Sequence, residues 1–112
     1  MLLYISKVGV VRLTRGDTAD FSISVQNEVS KDSYEIQVGD TLRFTVKESS
    51  EDADIVIQKV LNGLDSFTIE PNDTKNLECG DYVYDVELTT ESGDVYTIIP
   101  PSRFTIMEEV TW

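Results

Sequence analysis

Twenty-one carboxylates, one thiol and no imidazole are what this chain of 112 residues offers for chemistry. General acid–base or nucleophilic catalysis needs a titratable group set against a partner. Without a histidine, the lone Cys79 lacks a base and reads as a partly buried, inert thiol. It has no second cysteine with which to form an internal disulfide. Carboxylate pairs remain, but the aspartates fall in loops and on strand faces where charge is expected anyway. The composition therefore points away from an enzyme, and no catalytic residue is assigned.

Asp52, Asp54, Asp73, Asp81 and Asp94 carry oxygen ligands that loops of a β domain can gather around a hard cation such as calcium. No twelve-residue loop with alternating oxygen ligands and a closing glutamate occurs, so an EF-hand is excluded. Solvated loop charge is the default, and neither a metal nor another cofactor is expected. Tyr82, Tyr84, Tyr96 and Phe104 offer rings that stack on sugars, the tyrosines adding hydroxyl donors. Tyr82 and Tyr84 alternate in step with Val86 and Leu88, which favours core filling; Tyr96 and Trp112 are the candidates for surface contact. Arg15-Gly16-Asp17 is the tripeptide that adhesion proteins present to integrin-type receptors. Flanked by Leu13 and Phe21, it reads instead as a tight hairpin turn, with Gly16 supplying freedom in φ and Asp17 bonding local amides.

The formal charge is −12 and the pI is near 4.1. That field repels phosphate backbones and anionic lipid surfaces, so neither nucleic acid nor membrane is an expected partner. The length fits a single domain over residues 1–112, burying roughly two-thirds of its unfolded surface. The apolar start, MLLYISKVGVVRL, is interrupted by Lys7 and Arg12 and reads as a first strand rather than a signal peptide. No run approaches the roughly 18 apolar residues of a membrane span.

Period-two alternation supplies the elements. A first strand from Lys7 to Thr14 carries Val8, Val11 and Leu13; Phe21, Ile23 and Val25 alternate in ADFSISVQN, and Leu42, Phe44 and Val46 in TLRFTVKE. DIVIQKVL and LDSFTIE flank Asn62-Gly63, a strong hairpin signal, although a two-residue turn would set Gln58 opposite Phe67. PNDTKNL, from Pro71, suits one helical turn capped by Asn72 or Asp73. DYVYDVELTT follows Gly80, Glu91 to Asp94 turn the chain, Pro100-Pro101 end the returning strand, and Ser102 to Ile106 form the last one. Seven or eight short strands spaced by turns predict an all-β, antiparallel, immunoglobulin-like β-sandwich. The run from Leu77 to Tyr84 resembles the tyrosine corner of such sandwiches, with Tyr84 where a cysteine is usual.

Four ordered blocks, LTRGDT, TLRFTVK, FTIEPNDTKNLECGDYVYDVELT and GDVYTIIPPSRFTI, resemble small phage and prophage proteins of Gram-positive bacteria. They are similar to the N-terminal immunoglobulin-like domain of the phage baseplate upper protein, over roughly Val8 to Glu108. The resemblance implies a non-enzymatic structural or assembly module of a tail or baseplate, located in the virion or in the host cytoplasm before assembly. Its implied partners are other tail or baseplate proteins, or further copies of itself. The positions matching the family's pattern are Gly16, Asp17, Phe44, Phe67, Pro71, Thr74, Leu77, Gly80, Tyr82, Tyr84, Pro100, Pro101 and Phe104, to which the turn reading adds Gly63. Baseplate upper proteins continue into linker regions where this sequence stops at Trp112, so a free-standing accessory protein and an excised domain both stay open. The alternative function is a binding module for a bacterial cell-surface glycan or protein.

Overall fold

The computed structural model describes residues 4–5, 10–27, 29–49, 51 and 54–109. Lys7, Val8, Asp52 and Trp112 lie outside the described residues. The described elements are strands β1 (Tyr4–Ile5), β2 (Val11–Thr14), β3 (Ala19–Ser22), β4 (Val25–Asn27), β5 (Ser33–Tyr34), β6 (Thr41–Lys47), β7 (Ile57–Asn62) and β8 (Ser66–Ile69), then helical turn α1 (Pro71–Thr74), then β9 (Gly80–Thr89) and β10 (Val95–Met107). The protein is all-β.

The principal sheet has the order β2-β10-β9-β6-β7, and two smaller sheets are β3-β8 and β1-β4-β5. Strand β2 runs parallel to β10, so the sheet is mixed rather than antiparallel throughout. Their paired residues, such as Val11 and Phe104, lie 93 positions apart in sequence, and no tight turn dictates their direction. The alternating residues of β6 and β9 build the inner face: Leu42, Phe44, Val46, Tyr82, Tyr84, Val86 and Leu88 are all buried, with Phe104 and Ile106 of β10 beside them. The β3-β8 sheet lies on that face through a ladder of rings. Phe21 stacks on Phe67 at 5.3 Å, Phe67 meets Phe44 at 4.8 Å, and Phe44 reaches Tyr84 at 5.6 Å and Phe104 at 6.1 Å. Each fully buried ring contributes roughly 1.5–3 kcal/mol by leaving water.

Several turns connect sheets where hairpins were expected. Asn62-Gly63 does not join a hairpin, because β7 pairs with β6 and β8 pairs with β3. The core decides this: Phe67 sits opposite Phe21 rather than opposite Gln58. Gly63 has φ +71 and its N–H donates to the Asp40 carbonyl at 2.8 Å. Arg15-Gly16 likewise carries the chain from β2, in the principal sheet, to β3 on the facing one. Gly16 has φ +83, and the Asp17 N–H closes the turn on the Thr14 carbonyl at 3.0 Å. ADFSISVQN is two strands, not one. The chain leaves β3 at Ile23, whose N–H bonds the Asp65 carbonyl at 2.7 Å, and enters another sheet as β4.

The prolines Pro100 and Pro101 do not end a strand. Strand β10 runs through them with register shifts between Thr97 and Ile99 and between Ile99 and Ser102, a bulge that accommodates residues lacking an N–H. The β9–β10 turn is a true hairpin, with Thr89 opposite Val95. In α1 the cap is Glu70, not Asn72 or Asp73. Asp73 instead accepts the Glu70 N–H at 2.8 Å and pairs with Lys59 of β7 at 2.8 Å.

Candidate functional site

At one end of the principal sheet three turns meet on one residue, Asp40, whose carboxylate holds the 34–40 loop and the Glu91 turn and whose carbonyl holds the Gly63 turn. Asp40 is 2% exposed and directly precedes β6. Its side chain accepts the Tyr34 hydroxyl, the Gln37 N–H at 2.9 Å and the Glu91 N–H at 3.3 Å. Burial alone would raise this carboxyl, but the bonds from Tyr34, Gln37 and Glu91 outweigh it and hold the group below its ordinary value. Gly39 completes the closure: its φ is +98, and the Glu91 side chain lies about 3.0 Å from where a Cβ would stand. The turns so fastened bring two aliphatic residues outward. Val38 is 91% exposed and Leu64 is 60% exposed, on neighbouring turns that meet where Gly63 approaches the Val38 backbone. Beside them lies a cleft of about 410 Å3 of mixed lining, with Ile23, Val25, Ile36 and Leu64 alongside Ser24, Ser33, Glu35 and Asp65.

The opposite end closes on itself. The Arg15 guanidinium donates to Glu109 at 3.1 Å and to the Leu77 carbonyl at 3.4 Å. The Gly16 N–H donates to the buried Thr74 hydroxyl at 2.8 Å, which locks the crossing turn onto α1. The tripeptide is therefore turned into the fold through its arginine, not held out as a loop tip.

A third surface is the outer face of the principal sheet. The register places Thr45 beside Asp85 and Arg43 beside Glu87. A groove of about 260 Å3 runs over these residues, with Lys47, Gln58, Ile55, Val83 and Pro101 along its sides. Burial pushes the Asp85 carboxyl up, and Lys47 only partly draws it back.

The remaining candidates are dispersed. Tyr82 and Tyr84 are buried, and burial pushes both phenols up; Glu48, Glu78 and Cys79 reinforce the effect at Tyr82. Tyr96 is half-buried against the core, as is Cys79. Pro71 opens α1 and Gly80 opens β9. Among the described residues no group of three or more His, Cys, Asp or Glu side chains gathers for a metal. Asp73 is held by Lys59, Asp81 accepts the Thr105 hydroxyl at 2.7 Å, and Asp94 lies in its own turn with Ser92. Asp40, Val38, Leu64 and Asp85 were not singled out from the sequence. The one local signal was Val38-Gly39-Asp40 immediately before a strand, a turn pattern that also fits ordinary loops.

No protein-family model matches the chain, and no curated protein matches it. Among solved structures it is similar to CopC from Methylosinus trichosporium OB3b, at 8% identity and TM-score 0.49, covering 100% of this chain and 99% of that one. It is also similar to the extracellular domain of a hybrid two-component system protein from B. thetaiotaomicron, at 14% identity and TM-score 0.47. That match covers 92% of this chain and 12% of the other. Neither is a phage protein, and the baseplate resemblance is corrected accordingly, together with the structural role in a tail and the placement in a virion or host cytoplasm. The physical reason lies in the four blocks. They prove to be the β2–β3 turn, strand β6, the β8–α1–β9 run and the β9–β10 hairpin, segments written by core alternation and turn chemistry. Such blocks specify an all-β chain and not an assembly.

Proposed function

We propose that this protein is a non-enzymatic binding module for a bacterial cell-surface ligand, engaged through the turns fastened by Asp40, and that this ligand is a protein. The observation that carries the reading is the exposure of Val38 and Leu64 on turns fastened to the buried Asp40, the first through its carboxylate and the second through its backbone carbonyl. Single exposed aliphatics are ordinary, but two on adjoining turns fastened to one buried residue form an anchor with little ordering entropy left to lose. Glu35, Asp65 and Glu91 surround the anchor and are exposed, so the complementary surface is an apolar socket with a cationic rim. The ring at this end, Tyr34, is half-buried with its hydroxyl committed to Asp40, so the exposed contacts here are the aliphatic ones.

The finer architecture belongs to the same proposal. An immunoglobulin-like arrangement is supported by the parallel β2–β10 edge, by the separate β3-β8 pair, and by the Tyr82 hydroxyl donating to the Glu78 carbonyl at 2.7 Å. In that arrangement the turns around Asp40 share the end at which variable domains bind.

The test uses labelled protein on intact bacterial cells, untreated or shaved with protease. Saturable binding that shaving removes is expected. Val38→Asp and Leu64→Asp should each abolish it while changing stability by no more than about 0.5 kcal/mol. Binding that survives shaving, or that both variants retain, overturns the reading.

A further inference from the structure

The outer face of the principal sheet carries a second site, independent of the loop end. Its side chains form a ladder set by register: Gln58 donates to the Thr45 hydroxyl at 3.2 Å, Thr45 neighbours Asp85, and Arg43 pairs with Glu87 at 3.8 Å. Lys47 acts on Asp85 from the same strand as Thr45. Opposite Asp85 the ladder to β10 is interrupted, because Val86 pairs with Ile99 and Tyr84 with Ser102, leaving Pro100 and Pro101 in the bulge. Neither proline offers an N–H. Among the described residues no donor reaches the Asp85 carboxylate within hydrogen-bond distance, although the residue is half-buried. The bulge, Pro101 and Ile55 turn a flat sheet face into a groove of about 260 Å3.

Each class of small ligand meets this ladder differently. A free cation is opposed by Arg43 and Lys47, and a free anion by Asp85 and Glu87. An apolar ligand would cover the half-buried carboxylate without offering it a donor, which is costly. A sugar hydroxyl donates and accepts at once, so it satisfies an acid and a base on adjacent strands together. We propose that the groove is a saccharide subsite, in which Asp85 and Glu87 accept from ring hydroxyls and Arg43 and Lys47 donate to them. Val83, Ile55 and Pro101 then supply the apolar contact for a C–H face. The volume suits one or two sugar rings, and the affinity for a single free sugar is weak, as few apolar contacts back the polar ones. The burial that pushes the Asp85 carboxyl up agrees with a group placed at the expense of stability.

The experiment follows backbone amide shifts of the intact, isotope-labelled protein during titration with glucose, galactose, N-acetylglucosamine and rhamnose, with N-acetyl-lysine amide as a cationic comparison. At least one sugar should shift the amides of Thr45, Gln58, Val83 and Asp85 and leave those of Val38 and Leu64 in place. Asp85→Asn should weaken that sugar about tenfold, the loss of one charge-assisted bond, and Asp85→Ala should abolish binding. A groove silent to all four sugars overturns the proposal, as does a response to the lysine probe alone, or sugar shifts identical in Asp85→Ala. Because the readout resolves the groove from the loop end, its failure leaves the protein-binding reading separately testable.

Discussion

The two ends of the principal sheet are closed by opposite charges, and they leave opposite surfaces outside. At one end the buried Asp40 gathers three turns, two through its carboxylate and the third through its backbone carbonyl, and the aliphatic residues Val38 and Leu64 are left in solvent. At the other, a guanidinium and a buried hydroxyl draw the Arg15-Gly16 turn inward against α1, Leu77 and Glu109. An inward-facing acceptor organises backbone donors and frees the loop side chains to point away. A side chain that reaches across to another segment consumes the loop's own functional groups. The first end is built to present residues; the second is built to seal the edge where β2 meets β10.

The contrast is broken most severely by Asp40→Ala. Three donors, the Tyr34 hydroxyl and the Gln37 and Glu91 amides, would lose their acceptor, and the expected loss is about 3–5 kcal/mol by urea denaturation at neutral pH. Asp40→Asn keeps the shape and should lose about half as much. The pH dependence carries a definite sign. The folded-state value of Asp40 lies below the ordinary 3.8, so its contribution is present above that value and is lost as pH falls through the lower, folded-state one. Asp73 follows the same rule, since burial would raise it but Lys59 and the Glu70 amide hold it down. Asp85 has the opposite sign, being raised by burial, and so opposes folding as pH climbs between its unfolded and folded values. Protection factors at Gln37 and Glu91, taken relative to the intrinsic exchange rate at each pH, should therefore fall as pH drops below the ordinary 3.8 in the native protein and be low at all pH values in Asp40→Ala. Protection at Glu91 that survives the substitution would show the turns to be held by something other than this carboxylate.

A second way to sharpen the contrast is to damage the sealing end. Gly16→Val strains a backbone at φ +83 and places a side chain 3.2 Å from the Glu109 carboxylate, and about 2–3 kcal/mol should be lost. Thr74→Val keeps the volume but removes the acceptor of the Gly16 amide, for about 1–2 kcal/mol. If the two ends do different work, neither change affects cell binding at a temperature where the variants remain folded. Lost binding by a folded Thr74→Val would mean that the ends are coupled through the sheet.

The fold class was legible because its signal is local. TLRFTVK and DYVYDVELTT alternate strictly, and their inward residues are buried as the alternation implies. Which strands pair was far less legible. Asn62-Gly63 offers the same φ freedom to a hairpin as to a crossing between sheets, and the choice is made by Phe67, whose cross-strand partner, Phe21, lies 46 residues away in sequence. Pro100-Pro101 looked like a terminator because local rules forbid a ladder bond there; a bulge in a long strand satisfies the same rule. The presenting end was hidden for a different reason. Asp40 is one of 21 acidic residues, and nothing in the types around it separates a buried acceptor from a solvated loop charge. That distinction exists only once residues 34, 37 and 91 are brought together.

The smallest expected effect, and the most discriminating, comes from Arg15→Lys. The sequence places Arg15 in a tight turn and names no partner for it. The structure gives it two bonds, to Glu109 and to the Leu77 carbonyl, which a lysine ammonium cannot reproduce as a planar fork. Against that loss stands the Arg15 Nε, buried without a hydrogen-bond partner, which the substitution removes. The two sides of the Arg15–Glu109 pair are 24% and 29% exposed, so solvent screens a good part of their attraction. The net cost should be about 0.5–1 kcal/mol, and a double-mutant cycle with Glu109→Gln should assign most of it to the pair. A cost above about 2 kcal/mol would make this end as dependent on one charge as the Asp40 end, and the contrast between them would then rest on what each leaves exposed rather than on how each is held.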